Sequence, residues 1–104
     1  EVNGTVWVSG QIPVNAADGS VPATIEAQSH QALKNVGAIL AEAGLSYSDV
    51  VKTTVLLADI ADFKAMNAVY AEYFTEKMPA RACFQVAALP LGVKVEIEAI
   101  AVRQ

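Results

Sequence analysis

The sequence predicts an α+β fold: one mixed β-sheet with two helices on one face. Three observations predict it. Segments of period-two alternation flank segments of helical periodicity, in the order strand, helix, strand, helix, strand, strand. The 104 residues suit one domain. The composition is 54% hydrophobic and 17% charged, more apolar than so small an interior can absorb, so some apolar surface should meet a partner.

The elements follow in chain order. Glu1-Val2-Asn3-Gly4 reads as the entry to a strand, as if the chain begins mid-domain. Thr5-Val6-Trp7-Val8-Ser9 is β-rich and ends at Gly10. Residues 11 to 22 hold Pro13, Asn15, Asp18, Gly19 and Pro22, which is turn chemistry. A long helix is expected from about Thr24 to Ala43, with Leu33, Val36, Leu40 and Ala43 on one stripe, Ile39 at its edge, and Gly44 ending it in a left-handed turn. Val50 to Ala58 is the second strand. Val51, Thr53, Val55 and Leu57 share one face, and Lys52, Thr54, Leu56 and Ala58 the other. Asp59 is placed to cap a second helix, with Asp62 in its first turn. That helix carries Phe63, Met66, Tyr70, Tyr73 and Phe74 on one side, read as core, and Pro79 should stop it. Ala82 to Ala87 and Val93 to Val102 are the last two strands, joined by a turn at Pro90 and Gly92. In the last, Val93, Val95, Ile97, Ala99 and Ala101 point one way, and Lys94, Glu96, Glu98, Ile100 and Val102 the other.

If both crossovers progress in one direction, both helices cover the same sheet face. The other face, with Leu56, Ile100 and Val102, would then be an apolar docking surface, completed by oligomerisation. A doubly wound sheet, covered on both faces internally, also fits the pattern.

Several chemistries lack support. Seven Lys+Arg against eleven Asp+Glu, a formal net charge of −4, make a poor footprint for nucleic acid or an anionic membrane. No apolar run is long enough to span a bilayer, and the start is not signal-like. The single cysteine, Cys83, excludes an intrachain disulfide and suggests a reduced cytoplasmic protein. With one Cys and one His, a zinc site would need unusual ligands. No phosphate loop, nucleophile elbow or zincin motif is present. His30, the only histidine, lies off the apolar stripe and reads as a solvated helix residue.

Two stretches could carry chemistry. In Met78-Pro79-Ala80-Arg81-Ala82-Cys83-Phe84 an arginine opens an apolar strand, with Arg81, Cys83 and Gln85 on one face. A guanidinium offers a carboxylate two parallel donors, although an ordinary strand-end ion pair reads the same way. In Val95-Glu96-Ile97-Glu98-Ala99-Ile100 two carboxylates project from one face. They are plain solvated residues on an exposed face. Covered by another subunit, a glutamate there could act as a general base on water. Cys83 reads as a small buried hydrophobe, since no activating histidine is near in sequence.

Val8-Ser9-Gly10-Gln11-Ile12-Pro13, Asp49-Val50-Val51-Lys52-Thr53-Thr54-Val55, Asn67-Ala68-Val69-Tyr70, Pro79-Ala80-Arg81-Ala82-Cys83 and Val95-Glu96-Ile97-Glu98-Ala99 together resemble the Rid (reactive intermediate deaminase, YjgF-type) family, over nearly the whole chain and in the right order. The resemblance implies a single domain over 1–104 with a chorismate-mutase-like α+β fold, trimerising through the open sheet face. It implies hydrolysis of 2-iminopropanoate and 2-iminobutanoate to keto acids and ammonia in clefts between subunits, without a cofactor or a metal. Arg81 matches the family's carboxylate-binding arginine. Cys83 matches the residue whose backbone N–H holds substrate, and Glu96 the glutamate that places or activates water. Ser9, Gly10 and Asn67 match positions lining the same cleft. Two features depart from the pattern: the family's first strand, with its substrate-contacting tyrosine, is missing ahead of Asn3-Gly4, and the loop from Thr75 to Met78 is shorter. Family members that cleave RNA, and members without clear activity, supply the alternatives: an RNA-cleaving translation inhibitor or a non-catalytic sensor of small carboxylates.

Overall fold

The computed structural model describes residues 1–104. The elements are β1 (Thr5–Gln11), α1 (Ile25–Glu42), β2 (Val50–Leu57), α2 (Phe63–Tyr73), β3 (Ala80–Gln85) and β4 (Val95–Val102). One four-stranded sheet has the order β1-β4-β2-β3. β4 runs antiparallel to both its neighbours, and β2 pairs with β3 in parallel.

The doubly wound alternative is not adopted, and both helices cover one face, as crossovers progressing in one direction require. Val6, Val8, Thr53, Val55, Leu57, Val95, Ile97, Ala99 and Ala101 are buried on it. The apolar ones pack against Leu33, Val36 and Leu40 of α1 and Met66, Val69 and Tyr70 of α2 in one core. The opposite face has no cover within the chain: Trp7 is 63% exposed and Phe84 48%.

Local chemistry sets the ends of α1. The Thr24 hydroxyl accepts from the Ala27 N–H at 3.1 Å, satisfying a first-turn donor. At the other end Gly44 adopts φ 77°. The Leu45 N–H then bonds the Leu40 carbonyl and the Gly44 N–H the Ala41 carbonyl, at 2.8 and 2.9 Å, which is the Schellman closure expected of a left-handed glycine.

Four local expectations are corrected. Val50, not Val51, faces the core on β2: a register shift between Val50 and Lys52 turns Val51 outward, 46% exposed against 2% for Val50. The extra residue is a β-bulge, which sequence alternation cannot reveal. Asp59 caps a 3-10 turn over Ile60–Asp62, accepting from the Ala61 N–H, and α2 begins only after it. α2 ends at Tyr73 rather than running to Pro79, because Phe74 leaves the helical conformation at φ −108°, ψ 83° and tucks into the core. β3 spans Ala80–Gln85 instead of Ala82–Ala87, so Arg81 lies inside the strand pairing, opposite Thr53. No helix is long and apolar enough to cross a membrane.

Candidate functional site

Arg81 sits on the edge strand β3, on the helix side of the sheet. Its neighbours come from one stripe of α2. Phe63, Asn67 and Tyr70 stand at i, i+4 and i+7, one face of a helix. The Arg81 guanidinium lies 4.7 Å from the centroid of the Tyr70 ring and 5.3 Å from that of Phe63. Its Nη1 donates to Asn67 Oδ1. The Tyr70 hydroxyl in turn shares a 2.7 Å hydrogen bond with the buried Thr53 hydroxyl.

Arg81 has no acidic partner. Arg103 pairs with Glu1 at 2.9 Å, and the His30 ring lies 3.9 Å from the Glu72 carboxylate. An oriented guanidinium whose contacts are an amide and two ring faces keeps most of its donors for an external anion. Beside it, between α2 and β3, opens a cleft of about 450 Å³, lined by Asn67, Tyr70, Ala71, Phe74, Met78, Pro79 and Arg81. Cys83 follows two residues along the same strand face, half-buried. Burial pushes its thiol above the usual range, against a smaller opposing pull from Arg81, so the thiol stays protonated at neutral pH.

The remaining expected residues lie elsewhere. Glu96 leaves β4 on the open face, opposite Leu56 of β2. Its carboxylate rests over Gly10, where an added Cβ would collide with it. Glycine at this position is therefore a matter of close approach. Ser9 and Gly10 form a bulge in β1, where the register slips between Val8 and Gln11. The six expected residues thus fall into two groups: Arg81, Asn67 and Cys83 on the helix-covered side at the β3 edge, and Ser9, Gly10 and Glu96 at the open face.

Tyr70 and Phe63 pack in or against the core, as their helical spacing predicts, and they also face the guanidinium. The i, i+4, i+7 spacing around Asn67 was the available signal. His30 is not simply solvated: its Nδ1 lies 2.8 Å from the Tyr73 hydroxyl, between the two helices. No cluster of three or more His, Cys, Asp or Glu side chains is placed to hold a metal.

Residues 1–103 match the family described as Endoribonuclease L-PSP. The chain belongs to that family, the YjgF/Rid family. Among this family's members, a rat (Rattus norvegicus) protein named 2-iminobutanoate/2-iminopropanoate deaminase is 53% identical over 103 residues, 98% of this chain and 75% of that one. An Escherichia coli protein of the same name is 51% identical over 107 residues, 100% of this chain and 84% of that one. The crystal structure of E. coli TdcF with bound serine superposes at a TM-score of 0.96 with 47% identity, covering 100% of this chain and 84% of that one. The YjgF/Rid fold is therefore the chorismate-mutase-like α+β arrangement the resemblance implied.

Proposed function

We propose that this chain hydrolyses reactive 2-imino acids, of the 2-iminopropanoate and 2-iminobutanoate class, to 2-keto acids and ammonia. The observation that carries the reading is Arg81: a pre-oriented guanidinium without an internal counterion, beside an open cleft. It fits a small carboxylate. Relatives 51–53% identical over 98–100% of this chain bear the name of this activity. Serine, the ligand named for TdcF, is itself a small amino acid carboxylate.

In this reading Arg81 takes the substrate carboxylate in a two-point contact. Val86 N–H bonds the Leu57 carbonyl at 2.9 Å, so strand alternation turns the Cys83 N–H away from β2 toward the free edge, where it can donate to the ligand. Glu96 accepts a proton from water as the water oxygen bonds to the imine carbon. Glu96 returns that proton to the nitrogen, the new hydroxyl gives its own proton to the nitrogen as the C–N bond breaks, and the oxygen becomes the keto carbonyl as ammonia leaves. The reaction uses no cofactor. Holding a reactive imine and a water in place supplies much of the acceleration.

Arg81 and Glu96 stand on opposite faces of one sheet. We therefore place the working site between copies of the chain, Arg81, Asn67 and Cys83 from one and Ser9, Gly10 and Glu96 from another, in a homotrimer joined through the open face. The exposed Trp7 and the apolar Leu56, Ile100 and Val102 supply the buried surface such an interface needs. The net charge of −4 and the lack of a basic surface run argue against RNA as the substrate. A single free thiol fits a reduced, cytoplasmic setting.

The test is purified protein mixed with freshly generated 2-aminoacrylate, which tautomerises to the imine, with pyruvate release followed over time. Release well above the spontaneous rate is expected. A wild-type protein that binds pyruvate but gives only the spontaneous rate would make this a carboxylate sensor.

A further inference from the structure

The guanidinium of Arg81 is held less by charge than by a ring. Tyr70 lies under it at 4.7 Å, and the ring itself is fixed from two sides. Its hydroxyl bonds the fully buried Thr53 at 2.7 Å. Its face packs on Phe74 with centroids 4.5 Å apart. Thr53 is also the cross-strand partner of Arg81, so one residue pair anchors both the strand bearing the cation and the ring beneath it. Asn67 fixes one edge of the guanidinium, which leaves its plane to be set by the rings. An arginine stem has several free rotations, and a planar two-point grip needs that plane fixed before the ligand arrives.

We propose that Tyr70, pinned by Thr53, is a positioning residue for Arg81: its ring holds the guanidinium plane in the orientation that a substrate carboxylate needs. Tyr70 does not touch substrate in this role and acts through Arg81. The inference rests on the carboxylate-binding reading of Arg81.

The experiment measures pyruvate affinity by calorimetry on the intact protein in five forms: wild type, Tyr70→Phe, Tyr70→Met, Arg81→Ala and the double variant Tyr70→Met with Arg81→Ala. Tyr70→Met keeps apolar volume and removes the ring, and should weaken pyruvate binding by about fivefold, the scale of one lost cation–π contact. KM for the imine should rise by the same factor, with kcat within about twofold, since the contact is made in ground state and transition state alike. Tyr70→Phe keeps the ring and should restore affinity to within about twofold of wild type. In an Arg81→Ala background Tyr70→Met should change nothing further, which a role in packing alone would not predict. Unchanged pyruvate affinity in a folded Tyr70→Met protein overturns the inference. If that variant does not fold, the wild type decides by NMR. The Arg81 Nε–H and δ-methylene resonances should be displaced by ring currents, and random-coil positions overturn the proposal. Arg81→Ala separates the two ideas: if it binds pyruvate as wild type does, the carboxylate reading itself has failed.

Discussion

The two faces of the sheet are made by the same four strands and serve different ends. On one, Val55, Leu57, Val95, Ile97 and Ala101 are fully buried or nearly so, and two helices close them off from water. On the other, Trp7, Lys52, Thr54, Glu98 and Ile100 line a shallow depression of about 350 Å³. In the reading proposed above, neither face carries the whole reactive site. The helix face offers the oriented guanidinium of Arg81, and the open face the carboxylates of Glu96 and Glu98 beside Lys52. The difference teaches that a strand's period of two can encode a closed core on one face and an uncovered, partly apolar surface on the other.

The most disruptive way to test this division is Trp7→Glu. The side chain is 63% exposed, so the isolated chain should lose little stability. A charge buried without a partner in a subunit interface, however, costs several kcal/mol. Light scattering should find a species near the 10.9 kDa of one chain, with imine hydrolysis lost although Arg81 and Glu96 are both present. Full activity in such a monomer would show that the two groups need no second copy. Arg81→Ala should come next, lowering kcat/KM by about 10³-fold, the scale of truncating one side of a close ion pair. Its melting temperature should stay near that of wild type, because Arg81 is exposed. Glu96→Gln should lower kcat by about 10²-fold, the usual size of a lost general base, while pyruvate binding holds. Equal losses of binding in these two variants would erase the distinction between the faces.

Cys83→Ser should change activity least, within about threefold, since the proposed donor is the backbone N–H and the buried thiol is not the nucleophile. The raised thiol gives this a pH signature. Iodoacetamide should react slowly at neutral pH and faster only as pH climbs past the ordinary thiol range, because only then does thiolate form. Rapid alkylation at pH 7 would contradict it.

Much of this was legible beforehand, for identifiable reasons. The faces of β4 were readable because apolar and polar residues alternate from Val93 to Glu98, which fixes the phase for the apolar run Ala99 to Val102. α1 was readable because Thr24 and Gly44 mark its ends by their own chemistry. The reversal of Val50 and Val51 was not, since a bulge depends on the partner strand, here Ala101 and Ile100. The end of α2 was misplaced because Pro79 is the conspicuous breaker, whereas the helix yields to burial of Phe74. Arg81 and Glu96 could be singled out by residue type. That they point to opposite sides of the sheet emerged only from the pairing of β3 with β2 and β2 with β4. Tyr70 was hidden by being a good core residue as well.

β4, the last element in sequence, occupies the middle of the sheet. β1 and β2 never touch each other through backbone ladders; each is joined to β4 instead. During synthesis, β1, α1, β2, α2 and β3 must therefore emerge before the strand that unites them exists, and only the β2–α2–β3 unit can close early. Folding must wait for long-range closures such as Thr5 to Val102, which slows it relative to a helical chain of equal length. The nascent chain would meanwhile hold unpaired strand edges in the open, a state in which aggregation competes with folding.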